Sequence, residues 1–267
     1  MLSILDIVLY MMNLPVSNSH RQDTLSSIKT ASLIGRSDEG RSMWVALPTD
    51  PLMESLEPMF KGVHRLLIPK FDIGEAGTEE TKHGVPSLYR VVTQTDVARF
   101  LLRVCDPAAL SRTIRDAGLG VAPVAACSDL ATTRDVLADM AAHATSAVPV
   151  IDSKGTLVGT LSVADLGWKL AEDGEETDLH PLVSLVEELE TISVADFLAN
   201  LKGRAAAVTC RPHDSVGEVL RLCVVQRVHR VWVCDEAGAP FGVVSLTDLI
   251  RHLVEREREA TLEGGQL

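Results

Sequence analysis

One short pattern constrains the fold of this chain more than any other feature: a Ser or Thr followed three positions later by Asp and then by an aliphatic residue. Four copies begin at Ser3, Thr93, Ser162 and Ser245. Each copy leads into a stretch with helical periodicity, and at least three follow an aliphatic run typical of a strand. A single copy indicates only a helix N-cap, but four copies in the same context predict tandem structural repeats.

The sequence before each copy predicts the rest of the repeat. Before Ser245, the pattern indicates a strand at Ala207–Thr209, a helix at Ser215–Gln226, a strand at Arg227–Val233 and a turn at Asp235–Gly238. The third repeat follows the same order, and the second does so with an insertion at 71–87. The elements predicted for these two repeats are strands Val121–Ala125, Ala147–Ile151, Val45–Ala46, His64–Ile68 and Leu88–Val92, and helices Thr132–His143 and Leu52–Lys61. Pro58 is expected to make the last turn of its helix irregular.

This β-α-β-β-α unit resembles the cystathionine-β-synthase (CBS) domain, and the resemblance extends from Met43 to Arg258. It implies an α/β (α+β) fold of tandem CBS repeats paired into two modules, with repeats three and four in one module and repeats one and two in the other. The first module is expected to be incomplete, because only the end of repeat one is recognised. The implied organisation is a remnant of repeat one at 1–12, a linker at 13–41, repeat two at 42–104, a linker at 105–118, repeat three at 119–173, an acidic linker at 174–190, repeat four at 191–258 and a tail at 259–267.

The repeated Ser/Thr and Asp have a chemistry suited to a nucleotide. A helix N-terminus presents free N–H groups and a partial positive charge, which favour a phosphate. The hydroxyl can add a hydrogen bond, and the Asp one turn further on can accept from two ribose hydroxyls. The alternative is that the Ser or Thr only caps the helix, with the Asp interacting favourably with its dipole.

A second motif recurs in repeats two and four. Val-His-Arg at 63–65 aligns with Val-His-Arg at 228–230, and in both repeats it opens the same strand. Arg can bind phosphate oxygens through two hydrogen bonds, and His can donate one or carry a partial charge. The alternative is a basic pair at a strand end with its charges in water. Two copies in register favour an anion site.

With these motifs, the chain resembles the gamma regulatory subunit of AMP-activated protein kinase and its plant relatives. The resemblance implies binding of AMP, ADP or ATP, without a metal. The implied phosphate contacts are His64, Arg65, His229 and Arg230, with Ser245 and Thr247 near the phosphate of the fourth site. The implied ribose contacts are Asp248 and Asp165, and Asp96 holds the same position in repeat two. Ser162 and Thr93 supply the hydroxyls of their motifs. Thr209 is implied to contact the base through its backbone. The implied partners are the catalytic and beta subunits of a kinase of this type, and a homodimer stays open.

The chain also departs from the family's pattern. The family commonly has Arg at the position assigned to Ala144, so one phosphate contact is missing from repeat three. The incomplete first repeat removes others. The alternative function is therefore a CBS scaffold that binds no nucleotide and acts through protein–protein contacts.

Composition and the absence of recognised motifs limit the partners, locations and activities that we expect. The net charge of −12 argues against nucleic acid and anionic membranes as partners. Five scattered cysteines without metal-ligand spacing indicate a reduced, intracellular protein, cytoplasmic or also nuclear. The apolar segment at 1–12 lacks a basic start and is too short to span a bilayer. No nucleophile motif, metal constellation or Walker-type loop is recognised, so no enzyme activity is predicted.

Overall fold

The computed structural model describes residues 4–13, 29–33, 44–70, 88–121, 123–173, 180–201 and 206–264. Its helices are α1 (Ile4–Met12), α2 (Leu52–Ser55), α3 (Glu57–Phe60), α4 (Gln94–Val104), α5 (Pro107–Ser111), α6 (Thr133–Ala142), α7 (Val163–Asp173), α8 (His180–Leu189), α9 (Val194–Ala199), α10 (Val216–Gln226) and α11 (Leu246–Gly264), with a short 3₁₀ turn at Thr30–Ser32. Its strands are β1 (Trp44–Val45), β2 (Arg65–Lys70), β3 (Leu88–Thr93), β4 (Cys127–Ser128), β5 (Ala147–Ile151), β6 (Leu157–Ser162), β7 (Thr209–Cys210), β8 (Arg230–Cys234) and β9 (Pro240–Ser245).

These strands form three small sheets, one for each of repeats two, three and four. Their orders are β1-β2-β3, β4-β5-β6 and β7-β8-β9. In each sheet the first strand runs parallel to the second, because a helix connects them. In repeats two and three the second and third strands form an antiparallel pair. The predicted α/β fold of tandem β-α-β-β-α repeats is confirmed.

The first helix of repeat two differs from its prediction. Instead of one helix over 52–61, two short helices, α2 and α3, are separated at Leu56. Pro58 is the second residue of α3. Proline lacks an N–H and its ring clashes with the carbonyl four residues earlier, so a continuous helix cannot run through this point. Pro58 therefore divides the helix in its middle, whereas only the last turn was expected to be irregular.

The segments predicted as linkers contain helices. Helix α5 lies within 105–118, and α8 occupies the second half of 174–190. In α8, Val183, Leu185, Val186 and Leu189 are buried, and their hydrophobic contacts stabilise this helix. Helix α11 continues to Gly264, into the predicted tail. The first strands of repeats three and four begin at Cys127 and Thr209, a few residues later than predicted.

The chain forms two compact units, and neither consists of consecutive residues. Unit 1 contains 1–41, 121–211 and 232–243, and unit 2 contains 42–120, 212–231 and 244–267. In unit 1, α1 from repeat one packs against α7 and α8. In unit 2, α4 from repeat two packs against α10 and α11 from repeat four. The helices thus associate repeat one with three, and repeat two with four.

Within unit 1, the hairpins of repeats three and four also meet. Trp232 Nε1 donates to Thr160 Oγ1 at 2.8 Å, and the backbone N–H of Leu157 donates to the carbonyl of Gly238 at 3.0 Å. Trp232 is almost completely buried. These contacts join the two hairpins predicted to belong to one module.

Glycine allows a close approach in each unit. A Cβ on Gly159 in β6 would lie 2.9 Å from Leu198 Cδ1 of α9 in unit 1. A Cβ on Gly217 in α10 would lie 3.1 Å from the carbonyl oxygen of Leu110 in α5. A side chain at 217 would press on the backbone of α5, whereas one at 159 would require the Leu198 side chain to move.

Candidate functional site

A backbone feature at the end of the first helix fixes how the three repeats align. Each repeat has one residue there with positive φ, namely Gly62 (90°), Ala144 (50°) and Arg227 (54°). The N–H of the next residue then bonds to the carbonyl five positions earlier, as Val63 to Pro58, Thr145 to Met140 and Val228 to Cys223. Ala144 is therefore equivalent to Gly62 and Arg227. Repeat four has an Arg at this position, and the loss of one phosphate contact through Ala144 stays a prediction.

The strand-opening pairs follow from this alignment. They are His64–Arg65 in repeat two, Ser146–Ala147 in repeat three and His229–Arg230 in repeat four. The carbonyl of the first residue in each pair accepts from the first N–H of the repeat's last helix, in the bonds from Gln94, Val163 and Leu246 of 3.2, 3.0 and 2.8 Å. Repeat three therefore lacks both cationic side chains, and only repeats two and four carry them.

The two Val-His-Arg motifs meet in unit 2. The ring centroids of His64 and His229 are 5.6 Å apart, with the planes at 84°, an edge-to-face arrangement. The motifs are separated by more than half of the chain, yet β2 and β8 bring their imidazoles into contact. His64 is half-buried and His229 is exposed, so the pair is accessible from solvent.

Arg230 lies beside the repeated Asp of its own repeat. Burial lowers the pKa of the Arg230 guanidinium from its ordinary value, and the nearby carboxylate of Asp248 opposes this shift. A partly buried guanidinium is weakly solvated and has much to gain from a further anionic partner. Arg65, its equivalent in repeat two, is exposed.

The Ser/Thr–Asp pairs of repeats two, three and four all cap helices. In each, one Asp oxygen, Oδ2, accepts from both the backbone N–H and the hydroxyl of the Ser or Thr. The two distances are 3.0 and 2.7 Å for Thr93–Asp96, 2.7 and 2.9 Å for Ser162–Asp165, and 3.0 and 2.6 Å for Ser245–Asp248. The capping alternative is therefore realised. In Asp248 the cap engages Oδ2, which leaves Oδ1 outside the cap, whereas Oδ1 of Asp96 accepts from Arg99 at 3.2 Å.

The repeated Asp residues differ in accessibility. In unit 1, Asp6 and Asp165 are buried, with 0% and 7% exposure. In unit 2, the side chain of Asp96 is 48% exposed and Asp248 is half-buried. Ser3, the first residue of its copy, lies outside the described residues. A nucleotide can therefore reach the carboxylates of unit 2 more readily than those of unit 1.

Thr209 and the capping pair of repeat three also belong to unit 1. Thr209 is exposed and lies opposite Trp232 in the β7–β8 pair. The predicted site residues found in unit 2 are His64, Arg65, Thr93, Asp96, His229, Arg230, Ser245, Thr247 and Asp248. Unit 2 is thus the part of the molecule in which the predicted phosphate and ribose contacts occur together.

One residue of this region was missed by sequence reasoning. Gln94 is 1% exposed, and its Nε2 donates to the carbonyl of Met59 at 3.3 Å and to Thr247 Oγ1 at 2.9 Å. It therefore links the capping motif of repeat two to that of repeat four. The available signal was its polarity, because the equivalent positions in the other copies hold Ile4, Val163 and Leu246.

Across the described ranges, no group of three or more His, Cys, Asp or Glu side chains is arranged to hold a metal ion. The acidic stretch at 172–178 falls largely outside those ranges. In the same part of the chain, no helix is both long and apolar enough to cross a membrane.

Comparison with known proteins gives consistent matches. The family model of the CBS domain matches residues 119–167 and 204–255. The SNF1-related protein kinase regulatory subunit gamma-like PV42a of Arabidopsis thaliana is 31% identical, covering 89% of this chain and 70% of that protein. Its relative PV42b is 29% identical, covering 91% and 71%. The fold is similar to a crystal structure of a Methanocaldococcus jannaschii protein proposed as an archaeal homologue of g-AMPK, with a TM-score of 0.62 and 19% identity over 93% of this chain and 81% of that one.

Proposed function

We propose, on the premise that this chain belongs to the gamma-like family of CBS-domain kinase regulatory subunits, that it is a non-catalytic protein that binds an adenine nucleotide in unit 2. The ligand is AMP, ADP or ATP. Its phosphates contact the His and Arg side chains that open β2 and β8, and its ribose contacts Asp248.

The observation that carries this proposal is the meeting of His64 and His229, at 5.6 Å between ring centroids. Each histidine is followed by an arginine, so four side chains that can donate to an anion belong to one unit of a protein with net charge −12. A local concentration of donors against an overall negative charge favours a small anion such as a phosphate over a polyanion.

The ribose assignment is supported by the geometry of the cap. Ser245 engages only Oδ2 of Asp248, through its N–H and its hydroxyl. The availability of the other oxygen, Oδ1, supports the ribose role, because a carboxylate can accept hydrogen bonds from two neighbouring hydroxyls. Asp96 has the same cap in repeat two, but its Oδ1 already accepts from Arg99 at 3.2 Å, so Asp248 is the better ribose ligand.

The proposed regulatory role is supported by the two Arabidopsis relatives, which are named as regulatory subunits of a protein kinase. We take the partners to be the catalytic and beta subunits of a kinase of the AMP-activated type, in the cytoplasm or also the nucleus. The nucleotide acts by population shift, because a ligand that contacts repeats two and four together favours the packing that brings both within reach.

A second candidate is a scaffold that binds no nucleotide, and unit 1 is the observation that favours it. Asp6 and Asp165 are buried there, and Ser146 and Ala147 stand where the other repeats have His and Arg. In this scenario unit 2 keeps the motifs without the activity, and the protein acts through its surface.

Calorimetric titration with AMP, ADP and ATP separates the two functions. We expect Arg230→Ala to weaken nucleotide binding by about tenfold or more, because a hydrogen-bonded charge pair is lost. The matched control is Arg256→Ala, which removes an exposed Arg of the same unit whose partner is Glu259. Equal affinities in the two variants count against the phosphate assignment. No binding of any of the three by a folded wild-type protein supports the scaffold.

A further inference from the structure

The side-chain amide of Gln94 has a fixed orientation. Its Nε2 lies 3.3 Å from the carbonyl oxygen of Met59 and 2.9 Å from Thr247 Oγ1. A carbonyl oxygen can only accept, so the amide group facing it must be the NH₂ end. With a 1% exposed side chain, Gln94 cannot exchange these contacts for water. Its two N–H groups are therefore directed at Met59 and Thr247.

This orientation determines the direction of the Thr247 hydroxyl. A hydroxyl has one proton to donate and two lone pairs to accept with. Because Thr247 Oγ1 accepts from Gln94, its own proton points elsewhere and is suited to an acceptor. A phosphate oxygen is such an acceptor, and Thr247 is the second residue of α11, where the helix dipole also favours an anion.

The neighbouring hydroxyl of Ser245 is oriented differently. It donates to Asp248 Oδ2 at 2.6 Å, so its proton is used inside the cap. The same holds for Thr93 toward Asp96 and for Ser162 toward Asp165. Of the two hydroxyls predicted near the phosphate of repeat four, that of Ser245 donates within the cap, whereas that of Thr247 accepts from Gln94 and keeps its proton for another acceptor.

We infer that Gln94 of repeat two is a positioning residue, which aims the hydroxyl proton of Thr247 at the phosphate that the family resemblance places beside Thr247. The inference rests on the proposed function, since it names how that site recognises a phosphate. It also makes the site asymmetric. Thr95 is the equivalent of Thr247 in repeat two, but the equivalent of Gln94 in repeat four is Leu246, which has no polar group to orient it.

The test compares the affinity for AMP with that for adenosine, by calorimetry. The ratio isolates the phosphate contribution, because a merely structural defect weakens both ligands alike. We expect Thr247→Val to lower AMP affinity by about tenfold and to leave adenosine affinity unchanged. Gln94→Leu, which introduces the residue type of Leu246, should give a similar selective loss. The matched control Thr95→Val should change neither ligand.

A double-variant cycle tests whether Gln94 acts through Thr247. If it does, Gln94→Leu adds no selective loss to a protein that already carries Thr247→Val. Thr247→Ser keeps the hydroxyl and should retain AMP affinity, so it confirms that the proton and not the methyl group is responsible. Thr247 is only half-buried, so its variants remain informative if Gln94→Leu does not fold.

One outcome would overturn only the inference about Gln94 and Thr247, and another would overturn nucleotide binding itself. If wild-type protein binds AMP and the AMP-to-adenosine ratio is unchanged in Thr247→Val and Gln94→Leu, the inference fails while the proposed function stands. If folded wild-type protein binds neither ligand, the proposed function fails and the inference with it.

Discussion

Units 1 and 2 contain the same local structure with different surroundings. Both carry Ser/Thr–Asp caps with the same two hydrogen bonds, as in Ser162–Asp165 of unit 1 and Ser245–Asp248 of unit 2. In unit 1 the carboxylate is buried and the strand opens with Ser146–Ala147. In unit 2 the carboxylate is accessible and the strand opens with His229–Arg230.

The motif itself encodes a helix start, and a binding role depends on the residues that surround it. A further pair makes the same point. Ser193, outside the four recognised copies, caps α9 and donates to Asp196 at 2.7 Å. A carboxylate held in a cap becomes a candidate ligand only where cationic donors and an opening lie beside it.

The largest expected effect tests whether the two units are energetically separate. Phe197 is fully buried in the core of unit 1, so Phe197→Ala should lower the free energy of unfolding by about 4 kcal/mol. Phe100→Ala is the matched control, because Phe100 of unit 2 is 44% exposed and should cost below about 1 kcal/mol. Chemical denaturation measures both. The nucleotide affinity of the folded Phe197→Ala protein should stay within about twofold of that of the wild type. A parallel loss of affinity would show that unit 1 supports the site in unit 2.

The next effect compares the same substitution at two equivalent carboxylates, one in each unit. Asp248→Ala should lower adenosine affinity by about a hundredfold and abolish the preference over 2′-deoxyadenosine, since two hydrogen bonds to a charged group are lost. Asp165→Ala should leave both affinities unchanged and cost about 2 kcal/mol of stability, because a buried cap is removed. Calorimetry and thermal melting distinguish the two. If Asp165→Ala also weakens adenosine, unit 1 binds nucleotide as well.

The smallest effect concerns acid stability at the most exposed cap. Hydrogen bonds from the Thr93 side chain and backbone lower the pKa of Asp96, with a smaller contribution from Arg99. Because the folded pKa lies below the unfolded value of about 3.9, Asp96 stabilises the fold above that pH, and this contribution is lost as the pH falls through the folded pKa.

Denaturation at pH values from about 2 to 6 measures this dependence. Thr93→Val removes the larger cause and should flatten it, whereas Arg99→Ala removes an exposed ion pair and should change it little. The reverse order would assign the effect to Arg99 instead of the cap.

Much of the fold could be predicted from local sequence. The order of strands and helices in repeats two to four is carried by periodicity and turn residues, and the structure confirms it. The helices α5 and α8 were missed because their neighbourhoods are polar or acidic, and they are stabilised by contacts with distant repeats, as Leu110 meets Gly217. Single-sequence patterns contain no record of such contacts.

The candidate site was predicted less completely. The His-Arg pairs were found because two copies align within the chain, and the Asp positions because four do. The equivalence of Gly62, Ala144 and Arg227 was not found, because residue letters do not indicate a positive φ when Gly, Ala and Arg all adopt it. Gln94 was missed because its role depends on Thr247, which lies in another repeat and meets it only in the folded protein.

The interleaved composition of unit 2 has a consequence for biosynthesis. Helix α4 emerges from the ribosome early, whereas α10 and α11, against which it packs, follow only after residues 121–211 have been made. At typical elongation rates this delay is roughly 5 to 20 seconds. During that time the apolar face of α4, with Val97, Ala98 and Leu101, has no native partner from repeat four. The final packing of α4 is therefore completed only after repeat four has been synthesised.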